Sequence, residues 1–125
     1  MKLQPDKAQV PTVLAYGPDW IQINQFRFGQ SVVVSALPDQ PPRALHDTPG
    51  LEVREGDLEA LAQSGADIVI FGTGTRLVFP PASWMRAFAQ ARVGLEVMDT
   101  AAACRTYNIL ASEGRKVVAL LSLPA

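Results

Sequence analysis

The stretch Ala66-Asp67-Ile68-Val69-Ile70-Phe71-Gly72-Thr73-Gly74-Thr75-Arg76 constrains this chain more than any other. Its β-branched run has strand length and ends in two glycines. Such a run is a buried strand that stops at a tight loop. Glycine suits that loop because it accepts φ > 0 and lets another backbone or a ligand approach closely. Arg76 adds a fixed positive charge. Two readings stay open on these residues: a structural turn, which is the plainer one, or an anion site built from backbone N–H groups, Thr73, Thr75 and Arg76.

The remaining pattern places this strand in an α/β domain. Val13–Tyr16, Trp20–Asn24, Phe26–Phe28 and Ser31–Ser35 read as short strands separated by Gly17-Pro18-Asp19 and Gly29-Gln30, so the first third is expected to be an antiparallel meander. Pro38–Gly50 reads as a loop, because proline cannot donate to a ladder. Leu51–Arg54 is an expected short strand. Asp57 is the expected N-cap of a helix over Leu58–Gln63 that Gly65 ends. After the glycine loop Leu77–Phe79 is extended, and Pro80-Pro81 open a helix with Trp84, Met85 and Phe88 as its apolar stripe. Arg92 and Gly94 close that helix. Leu95–Met98 is the next strand, Thr100 caps a helix to about Glu113, Gly114 ends it, and Lys116–Leu123 is the last strand.

Strand, helix, strand, helix, strand favours parallel neighbours joined by right-handed crossovers. The expectation is one domain over 1–125 with a loose arm at 1–11. It would hold a mixed, partly parallel sheet with helices on one face and the N-terminal hairpins packed elsewhere.

Composition removes several function classes. Eleven basic against 12 acidic side chains give a net charge of −1, which is no electrostatic footprint for nucleic acid. With one cysteine, Cys104, and one histidine, His46, neither an internal disulfide nor the common zinc recipes can be built. No apolar run approaches the ~20 residues of a membrane span. The first seven residues read as neither a signal peptide nor a transit peptide, so a cytoplasmic protein without cofactor or metal is expected.

The glycine loop meets only the start of a dinucleotide fingerprint: Leu77 stands at the third glycine position, and no Walker lysine follows. One feature supports a ligand. Parallel neighbours Ile68–Phe71 and Leu95–Met98 would bring the loop and the Thr100 helix start to one sheet edge, where ligands gather and a helix end offers free N–H groups. Asp99 at that edge opposes an anion. On the last helix Ala103, Tyr107 and Leu110 form a core face. Arg105, Asn108 and Ser112 form the opposite arc, either solvated or a recognition surface. Cys104 reads as a small core residue before it reads as a reactive thiol. His46 reads as a solvated loop residue, and Trp20 and Trp84 as packing residues.

The motif order resembles a known family. The residues that carry the likeness are the stretch from Ala66 to Gly74, then Gly94-Leu95-Glu96-Val97-Met98-Asp99-Thr100, then Ala102-Ala103-Cys104-Arg105-Thr106-Tyr107-Asn108-Ile109-Leu110, and Glu113-Gly114-Arg115-Lys116-Val117-Val118-Ala119. The family is a small domain of largely unknown biochemistry. It includes mitochondrial complex I (NADH:ubiquinone oxidoreductase) assembly factor 3 and the adipogenesis-associated domain-containing protein. The resemblance implies a three-layer domain around a mixed sheet, no established catalysis, and action through protein contacts. It implies a shared pocket edge near Gly72, Gly74, Arg105, Thr106 and Asn108. The favoured expectation is an assembly or interaction module, associated with a membrane only through a protein partner. The runner-up is a small-molecule or anion binder, or an enzyme, using Gly72–Arg76, Thr100, Arg105 and Asn108.

Overall fold

The computed structural model describes residues 10–48, 50 and 52–125. Three short strands, β1 (Val13–Gly17), β2 (Trp20–Ile23) and β3 (Phe26–Phe28), form the expected meander. Asn24 makes the tight turn between β2 and β3 at φ 50°, a left-handed position that asparagine tolerates. Alternation sends Ile21 and Ile23 into the core, both fully buried, while Trp20 and Gln22 face outward. Outside, the Arg27 guanidinium stacks 4.1 Å from the Trp20 ring. The indole lies across Gly17, where any side chain would collide with it.

The fourth strand does not continue the meander. β4 (Val32–Ser35) joins a second sheet of five strands in the order β5-β4-β8-β6-β7, with β5 (Arg43–Ala44), β6 (Ile68–Gly72), β7 (Gly94–Met98) and β8 (Val117–Leu121). The reason is burial. All of β4 is buried, and an unbroken β-branched run needs cover on both faces, which a peripheral hairpin lacks. β4 pairs antiparallel with β5 and β8, whereas β6 lies parallel to both β7 and β8.

Helices cover both faces of this sheet rather than one. α1 (Glu55–Glu59) tightens into a 3-10 turn at Ala60–Gln63. A 3-10 turn at Ala82–Met85 leads into α2 (Arg86–Ala91), and α3 spans Thr100–Ser112. From β6 the chain crosses by α2 to β7, on one side; from β7 it returns by α3 past β6 to β8, on the other. Reversing direction with the same right-handed crossover puts α2 and α3 on opposite faces. Strand alternation sorts the side chains accordingly. Val33, Val69, Phe71, Val118 and Leu120 meet α1 and α2. Val32, Val34, Ile70, Val117 and Ala119 meet α3 and the small sheet. Three layers result, as expected.

Several boundaries differ from the sequence reading. α1 starts at Glu55 with Arg54 as N-cap, and Asp57 sits three residues in, where its Oδ2 accepts the Arg54 N–H at 2.8 Å. That is the acidic half of a capping box, so Asp57 fills the N3 position rather than the expected N-cap. Glu52–Arg54 forms no ladder, and Leu51 lies outside the described residues. The Pro38–Gly50 loop contains β5. Pro81 is the N-cap of the turn at Ala82 rather than part of its first turn. Arg92 itself takes the left-handed conformation that ends α2, φ 59°, which leaves Gly94 free to begin β7. β8 ends at Leu121, two residues before the expected Leu123.

One side chain of α3 clamps the first strand of the small sheet. Asn108 Oδ1 accepts the Val13 N–H at 2.9 Å, and its Nδ2 donates to Val13 O at 2.8 Å. Tyr107 beside it donates to Pro11 O at 2.8 Å. Replacing Asn108 by alanine strips both backbone groups of Val13 of their partners, at about 1–3 kcal/mol each when water cannot reach them. Asn108→Ala should therefore lower the unfolding free energy measured in urea by at least about 1 kcal/mol. An unchanged midpoint would show the clamp to be dispensable.

Candidate functional site

The glycine loop lies where the sequence reading put it, beyond the carboxyl ends of β6 and β7. This is the crevice in which open α/β sheets hold ligands, since the chain leaves β6 toward one face and β7 toward the other. Here the crevice is closed by hydrogen bonds. Thr100, with no exposed surface, accepts the Gly74 N–H on its Oγ1 at 2.8 Å and donates the same hydroxyl to Ser122 O at 2.8 Å. Its own N–H donates to Gly74 O at 2.9 Å, and Ser122 N–H donates to Gly72 O at 3.0 Å. One side chain thus ties the loop after β6, the start of α3 and the chain after β8.

Close approach makes this possible. A Cβ at Gly72 would stand 2.9 Å from Ala103 Cβ and 3.0 Å from Thr100 Cα, so only glycine lets α3 come this near. Gly74 has φ +102°, a conformation costly for other residues. Several of the donors an anion would use are committed, though not those of the exposed Thr75 and Arg76. The Thr73 N–H reaches Met98 O at 2.9 Å, and the Gly74 and Thr100 N–H groups are paired as above. Asp99, not Thr100, is the N-cap of α3, and its carboxylate accepts the Ala102 N–H at 2.8 Å. The helix end thereby carries its own anion.

Thr73 stiffens the outgoing chain. Its hydroxyl donates to Arg76 O at 2.6 Å and accepts the Val78 N–H at 3.1 Å. Beyond this brace three successive apolar residues stand in solvent: Leu77, Val78 and Phe79 are 49%, 55% and 66% exposed. Behind them a cleft of about 390 Å³ is walled by Phe71, Val78, Phe79, Pro80 and Trp84. A second cleft of about 470 Å³ includes Asp19, Ser31, His46 and Glu52. Leu77–Phe79 read only as extended in the sequence. The available signal was an unalternated apolar triplet after a glycine turn.

Of the sequence-selected residues, the structure brings Gly72, Thr73, Gly74 and Thr100 together. Thr75 and Arg76 form the exposed tip of the loop. Arg105 is exposed on α3, while Asn108 is turned to β1, so the two do not form one surface. Among the described residues neither arginine makes an ion pair. Cys104 is 2% exposed within the α3 core. Burial pushes its thiol from 9.0 up to about 12, against the opposing pull of Arg105, and so keeps it neutral near pH 7. The Tyr107 hydroxyl is raised by burial as well. His46 is not a free loop residue: its side chain is 13% exposed and its Nε2 lies 3.2 Å from Asp57 Oδ2, near enough to attract but not aligned as a hydrogen bond. No group of three or more His, Cys, Asp or Glu among the described residues is placed to hold a metal ion. No helix among them is long and apolar enough to cross a membrane.

Residues 13–122 match the family described as "Protein of unknown function (DUF498/DUF598)". The chain belongs to this family. A crystal structure of a Bordetella parapertussis protein has a TM-score of 0.78 and 34% identity, covering 91% of this chain and 96% of that one. The "13 kDa major membrane protein" of Francisella tularensis is 28% identical over 69 residues, 55% of this chain and 56% of that protein. The bovine "NADH dehydrogenase (ubiquinone) 1 alpha subcomplex assembly factor 3" (Bos taurus) is 41% identical over 58 residues, 46% of this chain and 32% of that protein. The matched segments thus span about half of the Francisella protein and a third of the bovine one. The family expected from the motif order is the family found.

If Thr100 is the tie of this region, its hydroxyl matters more than its shape. Thr100→Val leaves Gly74 N–H and Ser122 O unpaired and should cost about 1–3 kcal/mol for each. Thr100→Ser keeps both bonds and should cost less. Equal urea midpoints for the two variants would remove the tie from the account.

Proposed function

We propose that this member of the family is a protein-interaction module that serves the assembly of a multisubunit complex. Its contact is the exposed triplet Leu77, Val78 and Phe79. The observation that carries this reading is the pairing of that triplet's exposure with the brace beneath it. Apolar side chains held out on a fixed loop lose little conformational freedom when a partner covers them. A phenylalanine on such a patch is the kind of anchor around which binding energy concentrates. The paired N–H groups of Thr73, Gly74 and Thr100 support the same reading, since they leave a phosphate only the Thr75 and Arg76 tip of the loop.

The partner in this proposal is a subunit of a respiratory or other membrane complex, and the chain acts from the cytoplasm, reaching the membrane through that subunit. The names of the bovine and Francisella relatives support this. The competing reading is an anion or small-molecule site at Gly72–Arg76. It now rests on the exposed Thr75 and Arg76 and on the cleft behind Phe79.

Affinity purification in mild detergent, from the cell that makes the protein, tests the proposal. The wild-type chain should retain a defined membrane-complex subunit. Phe79→Asp should reduce that recovery at least about tenfold, the scale of a contact worth ~1.4 kcal/mol, with the thermal midpoint unchanged. Full recovery with the variant would overturn the assigned contact. No partner with the wild type, together with a phosphate titration weakened by Arg76→Ala, would establish the competing reading.

A further inference from the structure

The five-stranded sheet ends on β7, and an edge strand presents a row of unpaired backbone groups. The ladder identifies them. Gly94 donates its N–H to Asp67 O at 2.9 Å, and Met98 O accepts the Thr73 N–H at 2.9 Å. Both residues therefore turn their backbone polar groups toward β6. Orientation alternates along a parallel ladder, so Glu96 also faces β6, while Leu95 and Val97 direct N–H and C=O away from the sheet. Among the described residues β6 is the only ladder partner of β7.

This edge differs from the opposite one. β5 is two residues long and offers almost no template, whereas β7 is five residues long and turns the backbone groups of Leu95 and Val97 outward. Long edges are ordinarily blunted or covered in native sheets. The Leu95 and Val97 side chains are anchored on the α1–α2 side of the sheet and Met98 on the α3 side, so the strand is held rigidly in register. Glu96, at its centre, is exposed and makes no ion pair among the described residues.

We infer that β7 receives an extended segment of the protein partner as an added strand, with a lysine or arginine of that segment facing Glu96. This rests on the interaction reading above and names a second contact for it. Backbone groups of Leu95 and Val97 supply the ladder, and Glu96 supplies the selection. Charge also argues against a second copy of this chain as the occupant. Antiparallel pairing of two β7 strands about a central two-fold puts Glu96 opposite Glu96, and like charges directly across a pair are destabilising.

The test uses the full chain and two disulfide-closed β-hairpin peptides whose free outer strands read Thr-Val-Lys-Val-Thr and Thr-Val-Glu-Val-Thr. Amide resonances of the labelled chain are followed during titration. The lysine peptide should shift the Leu95 and Val97 amides and slow their exchange. The glutamate peptide should bind more weakly, on the order of fivefold, and Glu96→Lys should reverse the preference. Val97→Pro removes an outward donor without touching the β6 ladder, a substitution that edge strands accept, and should abolish binding with the thermal midpoint kept. The Glu96→Lys reversal decides the matter if Val97→Pro does not fold. Three results would overturn the inference. They are no binding of the lysine peptide, no dependence on the sign at Glu96, and slow exchange of Leu95 and Val97 in the free chain. A concentration-dependent dimer lost in Val97→Pro would assign the edge to a second copy instead. If the peptides fail while a partner still co-purifies with the wild type, only the edge assignment falls; if no partner co-purifies, the interaction reading falls with it.

Discussion

The hydroxyl of Thr100 is the point on which this molecule's architecture depends. It is wholly buried, accepts one hydrogen bond and donates another, and so fixes three chain segments that are far apart in sequence. A buried hydroxyl is costly unless both roles are met. Here Gly74 and Ser122 meet them. That requirement explains the glycines. Gly72 lets α3 approach within contact distance, and Gly74 turns its N–H toward the hydroxyl at a φ that other residues resist. By its bonds the glycine motif locks the parallel strands to their returning helix.

Function follows from what the lock leaves outside. The closure narrows the crevice at the strand ends, the usual ligand position of an open α/β sheet, and leaves a cleft walled by Phe71 and Thr73 beside it. The same closure stiffens Thr73–Val78 and holds Leu77–Phe79 in solvent. The thiol of Cys104 is buried, and the surface carries an exposed apolar triplet and the edge strand β7. The proposed role in association rests on these features, and one relative of the chain is named as an assembly factor.

Much of the fold was legible in the sequence because the strands are written in local pattern. The β-branched runs at Val32–Ser35, Ile68–Phe71 and Val117–Leu121 are the three innermost strands, and their continuous apolar character is what burial on both faces demands. The glycine loop was legible as a turn but not as a lock, because Thr100 lies 26 residues beyond Gly74 and Ser122 a further 22 beyond Thr100. Asn108 was read by helical phase as part of a polar arc with Arg105. Phase says which residues share a face and nothing about a strand 95 positions earlier that comes to meet one of them. Thr100 and Asp99 are both good caps; the choice between them was made by Thr100 being drawn into the core, which left Asp99 at the rim.

Amide hydrogen exchange at Gly74, followed by NMR in the free chain at several denaturant concentrations, tests the lock most directly. A residue held by a buried hydroxyl and by β6 should exchange only when the whole domain opens. The expected result is an opening free energy at Gly74 equal to that of Val118 in the central strand, with the same denaturant dependence. Exchange at Gly74 through a small, denaturant-independent opening would contradict the account and return the glycine loop to the status of a mobile site open to ligands.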